Sequence, residues 1–159
     1  MHKEAGTEKF KIPNEVFFDE VGMLLGKGHN VEIKAPGNSM LPFIRGNRDG
    51  IELGGAEQIC RGDIVLAECE KGRFIIHRVM RRKGEELVLM GDGNLRCTES
   101  CRTADVIAKV VGIKRGNRRI SCESTGFRAM SWLWCTAAKP IRRPLLALYK
   151  IISKERSEA

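Results

Sequence analysis

Apolar and polar positions change period twice along this chain. Between Pro13 and Lys27, the apolar residues Val16, Phe17, Val21, Leu24 and Leu25 recur at helical spacing. Pro13 suits a first helical turn, Glu15, Asp19 and Glu20 lie towards the positive end of the helix dipole, and Gly28 offers a stop. The pattern predicts one short helix packed on the body of the protein. From Asn30 the period shortens to two: Val31–Ala35 and Ile51–Leu53 alternate, and Ile64–Ala67 reads as a short buried strand. Phe74–Met80 and Leu87–Met90 flank the polar stretch 81–86 and predict a hairpin, as do Val106–Ile113 and Arg119–Cys122 around 114–117. Short strands joined by glycine turns predict a mainly β fold, an antiparallel sheet coiled or closed into a barrel. After Thr125 helical spacing returns over Phe127–Ala138 and Ile141–Ile152, separated by Pro140 and interrupted near Pro144. In the first of these Met130, Leu133 and Trp134 share one side, with Trp132 off it. The expected organisation is an N-terminal tail and helix (1–30), a β-rich domain (31–125) and a basic helical appendage (126–159).

Charge adds a partner class to this outline. The net charge of the 159 residues is +8, but residues 1–101 hold 15 Lys/Arg against 16 Asp/Glu, whereas residues 102–159 hold 13 against 4. The basic excess lies in the last third and points to an anionic partner: lipid, nucleic acid or an acidic protein. Met1–Phe10 lacks the apolar core of a secretory signal, and Leu145–Ile152, broken by Lys150, is too short to span a bilayer. A cytoplasmic protein with reduced thiols is expected. Its six cysteines are irregularly spaced, and Cys97 and Cys101 lack the second ligand pair of a structural zinc site, so neither metal nor cofactor is expected.

Three groups could do chemistry together. Ser39 follows Pro36-Gly37 at the end of a predicted strand, where glycine allows a sharp turn and Pro42 stiffens the exit. His77 interrupts the apolar stripe of Ile75 and Val79. Asp92 stands in Gly91-Asp92-Gly93-Asn94, just past the strand that pairs with the histidine's. Alone, each has an ordinary explanation: a turn serine, a core histidine and a turn aspartate. Together they are the nucleophile, base and orienting carboxylate of a serine hydrolase. A one-residue slip in hairpin register would turn Asp92 to the other face. His2 and His29 fall in a tail and a turn.

The blocks Ser39-Met40-x-Pro42, His77-Arg78-Val79 and Gly91-Asp92-x-Asn94 resemble the signal peptidase and LexA-like serine peptidase superfamily, over roughly Val31 to Ile113. The histidine at 77, rather than lysine, is most similar to the endoplasmic-reticulum and archaeal branch. The resemblance implies a coiled antiparallel β-barrel with Ser39 as nucleophile, His77 as general base and Asp92 as its partner. It also implies cleavage of peptides after small side chains, with substrate contacts near Met40 and Pro42. The sequence departs from the family's pattern in three places. The membrane anchor is missing. Gly37 replaces a hydroxyl-bearing residue of the oxyanion hole, leaving the Ser39 N–H and Asn38. The second acidic residue usual after the Gly-Asp block is replaced by a neighbourhood containing Thr98 and Glu99, with Asp105 further off.

These features lead to a serine endopeptidase that removes leader or pro-segments from peptide or protein precursors in the cytoplasm. Two alternatives stay open. One is a LexA-like factor that cuts itself. The other is a non-catalytic domain binding lipid, nucleic acid or a partner through its basic C-terminal region. Regular aromatic–basic interleaving is absent there, which argues against single-stranded nucleic acid. Trp132, Trp134, Arg142, Arg143 and Lys150 would suit an anionic membrane surface on the cytoplasmic face, or the same helices simply cap the sheet.

Overall fold

The period changes in the sequence become three helices and eight strands in the computed structural model, which describes residues 14–35, 37–136 and 139–158. Pro13, expected to open the first helix, His2 and Pro36 lie outside the described residues. So do the side chains of Val16, Lys150 and Lys154. Helix α1 is Asn14–Gly26. Strands follow as β1 (Val31–Lys34), β2 (Gly50–Gly54), β3 (Ile64–Glu70), β4 (Arg73–Lys83), β5 (Glu86–Met90), β6 (Glu99–Arg102), β7 (Val106–Arg115) and β8 (Arg118–Ser121). Helices α2 (Thr125–Thr136) and α3 (Lys139–Glu158) end the chain's described part.

The strands form one antiparallel sheet in the order β1-β2-β7-β3-β4-β5-β6, with β8 also on β7. β1 and β6 stay at opposite ends of this path, so the ladder is open and does not close into a barrel. Register shifts in the β2–β7, β3–β4, β3–β7 and β4–β5 pairs insert extra residues that bend and twist the strands. β6 did not stand out in the sequence because Glu99-Ser100-Cys101-Arg102 has only one apolar residue to pattern.

Alternation in β3 sorts the interior into two clusters on opposite faces of the sheet. Ile64 and Leu66 join Val21, Ile51, Leu53, Val110, Ile113 and Phe127 on one face. Val65 and Ala67 join Val79, Leu87, Leu89 and Cys101 on the other. Helix α1 covers the first cluster with Val21, Phe17, Phe18 and Leu25, and the Phe18 ring sits 4.5 Å from that of Phe74. Leu24 points away and is exposed.

The C-terminal helices differ from the sequence reading in two respects. Helix α2 buries Phe127, Ser131, Trp134 and Cys135, leaving Met130 and Leu133 outside. The cause is polar: Ser131 Oγ accepts a hydrogen bond from the fully buried Arg78, which turns that side of α2 inward. Helix α3 also runs through Pro144 without a break. The single backbone bond lost there would have reached the carbonyl of Pro140, itself exposed, so water can replace it.

Candidate active site

Ser39 rides on a loop held in place by glycine contacts and a buried carboxylate. Gly37 has φ of 64°, a conformation side chains resist. A β-carbon added to Gly46 would lie 1.6 Å from the Gly37 carbonyl oxygen, so the two backbones meet where no side chain fits. Asp49 is fully buried beneath this loop. Its carboxylate accepts hydrogen bonds from the Arg45 N–H at 2.9 Å, from Arg45 Nε and Nη2, and from Arg115 Nη2 at 2.8 Å. Arg115 Nη2 also donates to the Phe43 carbonyl, tying the serine loop to β7. Burial pushes the Asp49 carboxyl up, but the Arg115 and Arg45 hydrogen bonds outweigh it and hold the group below its ordinary value.

His77 and Ser39 meet across Gly91. A β-carbon on Gly91 would stand 3.1 Å from His77 Nε2, 3.3 Å from Ser39 Cβ and 2.6 Å from the Ser39 carbonyl oxygen. Only a hydrogen fits in that gap. The Gly93 N–H donates to the Ser39 carbonyl at 2.8 Å, clamping the 91–94 loop onto the serine turn. Ser39 is half-buried and His77 is buried. No Ser39 Oγ–Nε2 hydrogen bond forms among the described residues. Rotation about the serine χ1 swings the hydroxyl between its staggered positions, and such bonds commonly tighten only with substrate in place. On its far side His77 Nδ1 lies 2.9 Å from Glu99 Oε2. Arg73 Nη2 donates to the other Glu99 oxygen at 3.1 Å, and the Glu99 side chain is only 13% exposed.

The carboxylate at the imidazole is therefore Glu99, and Asp92 is not its partner. Asp92 instead accepts a two-point pair from Arg78, Nε to Oδ1 at 2.8 Å and Nη2 to Oδ2 at 2.7 Å. Register explains the difference. At its turn the hairpin pairs Lys83 with Glu86 and Arg81 with Val88, a register that would bring His77 level with Asp92. A bulge between Val79 and Arg81 advances β4 by one residue, so that Arg78 pairs with Met90. Continued, this sets His77 beside Gly91 and sends Asp92 to the face occupied by Arg78. Glu99 meets the imidazole because His77, Val79, Leu89 and Glu99 share a face through the β4–β5–β6 pairings.

Arg78 is a structural hub beneath the site. Besides Asp92 it donates to the Gly62 carbonyl and Ser131 Oγ, and its guanidinium lies 4.4 Å from the centroid of the Phe43 ring. It thereby joins the 91–94 loop, the turn before β3, helix α2 and the serine loop. Burial raises the Asp92 carboxyl against the opposing pull of Arg78, Trp134 and Arg142.

The remaining expected site residues divide. Asn38 is exposed at the turn, its Oδ1 leaning over Gly46. Met40 is 4% exposed and belongs to the first core cluster, so it supports the turn from below and does not present a substrate surface. Pro42 is half-buried and lines an apolar cleft of about 280 Å³ with Phe43, Ile120, Phe127 and Met130. Among the expected membrane contacts, Trp132 and Arg143 are exposed. Trp134 and Arg142 are buried: they sit on the inner sides of α2 and α3, Trp134 against Phe43, Leu95 and Leu146. Cys97 is exposed and Cys101 buried, so the two do not share a surface. No helix among the described residues is long and apolar enough to cross a membrane.

In comparisons with known proteins, no family model and no curated protein sequence matches this chain.

Proposed function

We propose that the protein is a serine endopeptidase of the signal-peptidase type that removes a leader or pro-segment from peptide or protein precursors made in the cytoplasm. One juxtaposition carries the reading: Ser39 and His77 Nε2 flank Gly91 while Glu99 holds Nδ1. An acceptor at Nδ1 keeps the ring's proton there and leaves the Nε2 lone pair facing the serine. Ser39 Oγ attacks the scissile carbonyl carbon as Nε2 takes the hydroxyl proton, and the carbonyl electron pair moves to the oxygen. His77 then gives that proton to the leaving amine as the C–N bond breaks, and water repeats the sequence on the acyl-enzyme. Glu99 stabilises the imidazolium formed in both halves.

With Gly37 where a hydroxyl-bearing residue would help, the oxyanion falls to the Ser39 N–H and Asn38. One missing donor costs about 2.7–4 kcal/mol of transition-state stabilisation, so turnover is slow. The open, bulged antiparallel sheet suits the coiled type of the signal peptidase and LexA superfamily. Purified protein incubated with co-expressed candidate precursors, read by mass spectrometry, tests the reading. Wild type yields two fragments, and Ser39→Ala and His77→Ala yield none. Unchanged cleavage in either variant refutes it.

A further inference from the structure

Strand β4 carries a second charged group on the face that holds the imidazole. Alternation puts Arg73, Ile75, His77 and Val79 on one side of the strand, and the register with β3 is unbroken from Arg78 to Phe74. Ile75 and Val79 join the second core cluster, so Arg73 and His77 stand at the two ends of an apolar step formed by Ile75. The pairing of β4 with β5 stops at Arg78 and Met90. The Glu99 side chain, from the strand beyond β5, reaches both groups: its Oε1 accepts from Arg73 Nη2 at 3.1 Å, and its Oε2 lies 2.9 Å from His77 Nδ1.

The two oxygens of Glu99 therefore have different partners, and the partners do different work. The terminal torsion of a glutamate is broad, so a single hydrogen bond to the ring does not fix the carboxylate plane. A neutral imidazole also offers Glu99 a hydrogen bond without a charge. Among the described residues Arg73 is the full positive charge paired with this carboxylate, whose side chain is only 13% exposed. The guanidinium is itself steadied from the other side, with Nη1 3.7 Å from Glu70, its partner across the β3–β4 turn. Burial pushes the neighbouring Cys69 thiol up to about 12, so it stays neutral and does not compete with Glu99 for Arg73.

We propose that Arg73 is a positioning residue of the relay: by holding Glu99 Oε1 it fixes the carboxylate so that Oε2 stays on His77 Nδ1. Without it the carboxylate turns, and the ring samples the tautomer protonated at Nε2, which cannot take the Ser39 proton. The effect on rate rests on the peptidase reading of Ser39 and His77. The effect on the tautomer rests only on the contacts among Arg73, Glu99 and His77.

Nitrogen-15 NMR of the histidine-labelled full chain at pH about 8.5, where an ordinary imidazole is neutral, reads the tautomer, with the His77 signals assigned by their loss in His77→Gln. Wild type should show a protonated Nδ1 and a bare Nε2. Arg73→Ala should show a mixture, Arg73→Gln less of one, and Arg73→Lys the wild-type pattern. In peptide cleavage, Arg73→Ala should lower kcat roughly 10- to 100-fold with little change in KM, and Arg73→Lys should restore most of it. Thermal melting should stay near wild type, because a half-exposed ion pair adds little stability. An unchanged tautomer in Arg73→Ala overturns the proposal, as does an unchanged kcat or a loss confined to KM. If wild type cleaves nothing, the peptidase reading fails, and a tautomer shift in Arg73→Ala still upholds the hold of Arg73 on the ring.

Discussion

His77 and Glu99 come from strands separated by β5, yet Nδ1 and Oε2 stand 2.9 Å apart. This contact gives the imidazole a fixed tautomer and leaves Asp92 free to neutralise Arg78. The two carboxylates thereby have separable roles, one at the chemistry and one in the core.

Glu99→Gln should keep the fold and lose rate. An amide at Nδ1 can present its NH₂ and favour the wrong tautomer, and comparable changes in serine proteases lower kcat by about 10⁴-fold. Peptide-cleavage kinetics beside a thermal melt check this. A drop in kcat with little change in melting is the expected pair of results.

Asp92→Asn should show the reverse emphasis. It leaves the fully buried Arg78 without its two-point partner, and removing one member of a buried pair costs about 3–5 kcal/mol. Denaturant unfolding should show a large fall in midpoint.

Gly91→Ala places a methyl group where His77 Nε2, Ser39 Cβ and the Ser39 carbonyl oxygen all lie within 3.3 Å. The serine turn or the histidine must move. A displacement of about 1 Å at reacting groups can cost about 10²-fold, so cleavage should fall by at least that order. An unchanged rate would mean the two groups do not work together.

Asp49 makes stability depend on acid. Its folded carboxyl lies below the ordinary value of 3.8, so its contribution is present above that pH and is lost as pH falls through the folded value. Thermal melting followed from pH 6 downwards should decline below about pH 4. Asp49→Asn should start lower at neutral pH and lose less on acidification.

Much of the architecture was legible in the chain because burial is periodic. Alternation marked β1 and β2, short β-type runs bounded by turn signals marked five more strands, and period 3.6 marked the three helices, since these patterns follow from local backbone geometry. Ser39 and His77 could be singled out because each breaks a local pattern: a hydroxyl on a glycine turn and an imidazole in an apolar stripe. Tertiary structure decided the rest. The bulge between Val79 and Arg81 depends on how β4 lies between β3 and β5, and it moved Asp92 from His77 to Arg78. Glu99, on a strand too polar to announce itself, reached His77 only through pairing across β5. The inward side of α2 was chosen by Ser131 because a buried guanidinium 53 residues away needed an acceptor. Periodicity is a property of neighbours along the chain, whereas register and the partners of buried charge are settled only when distant strands are brought side by side.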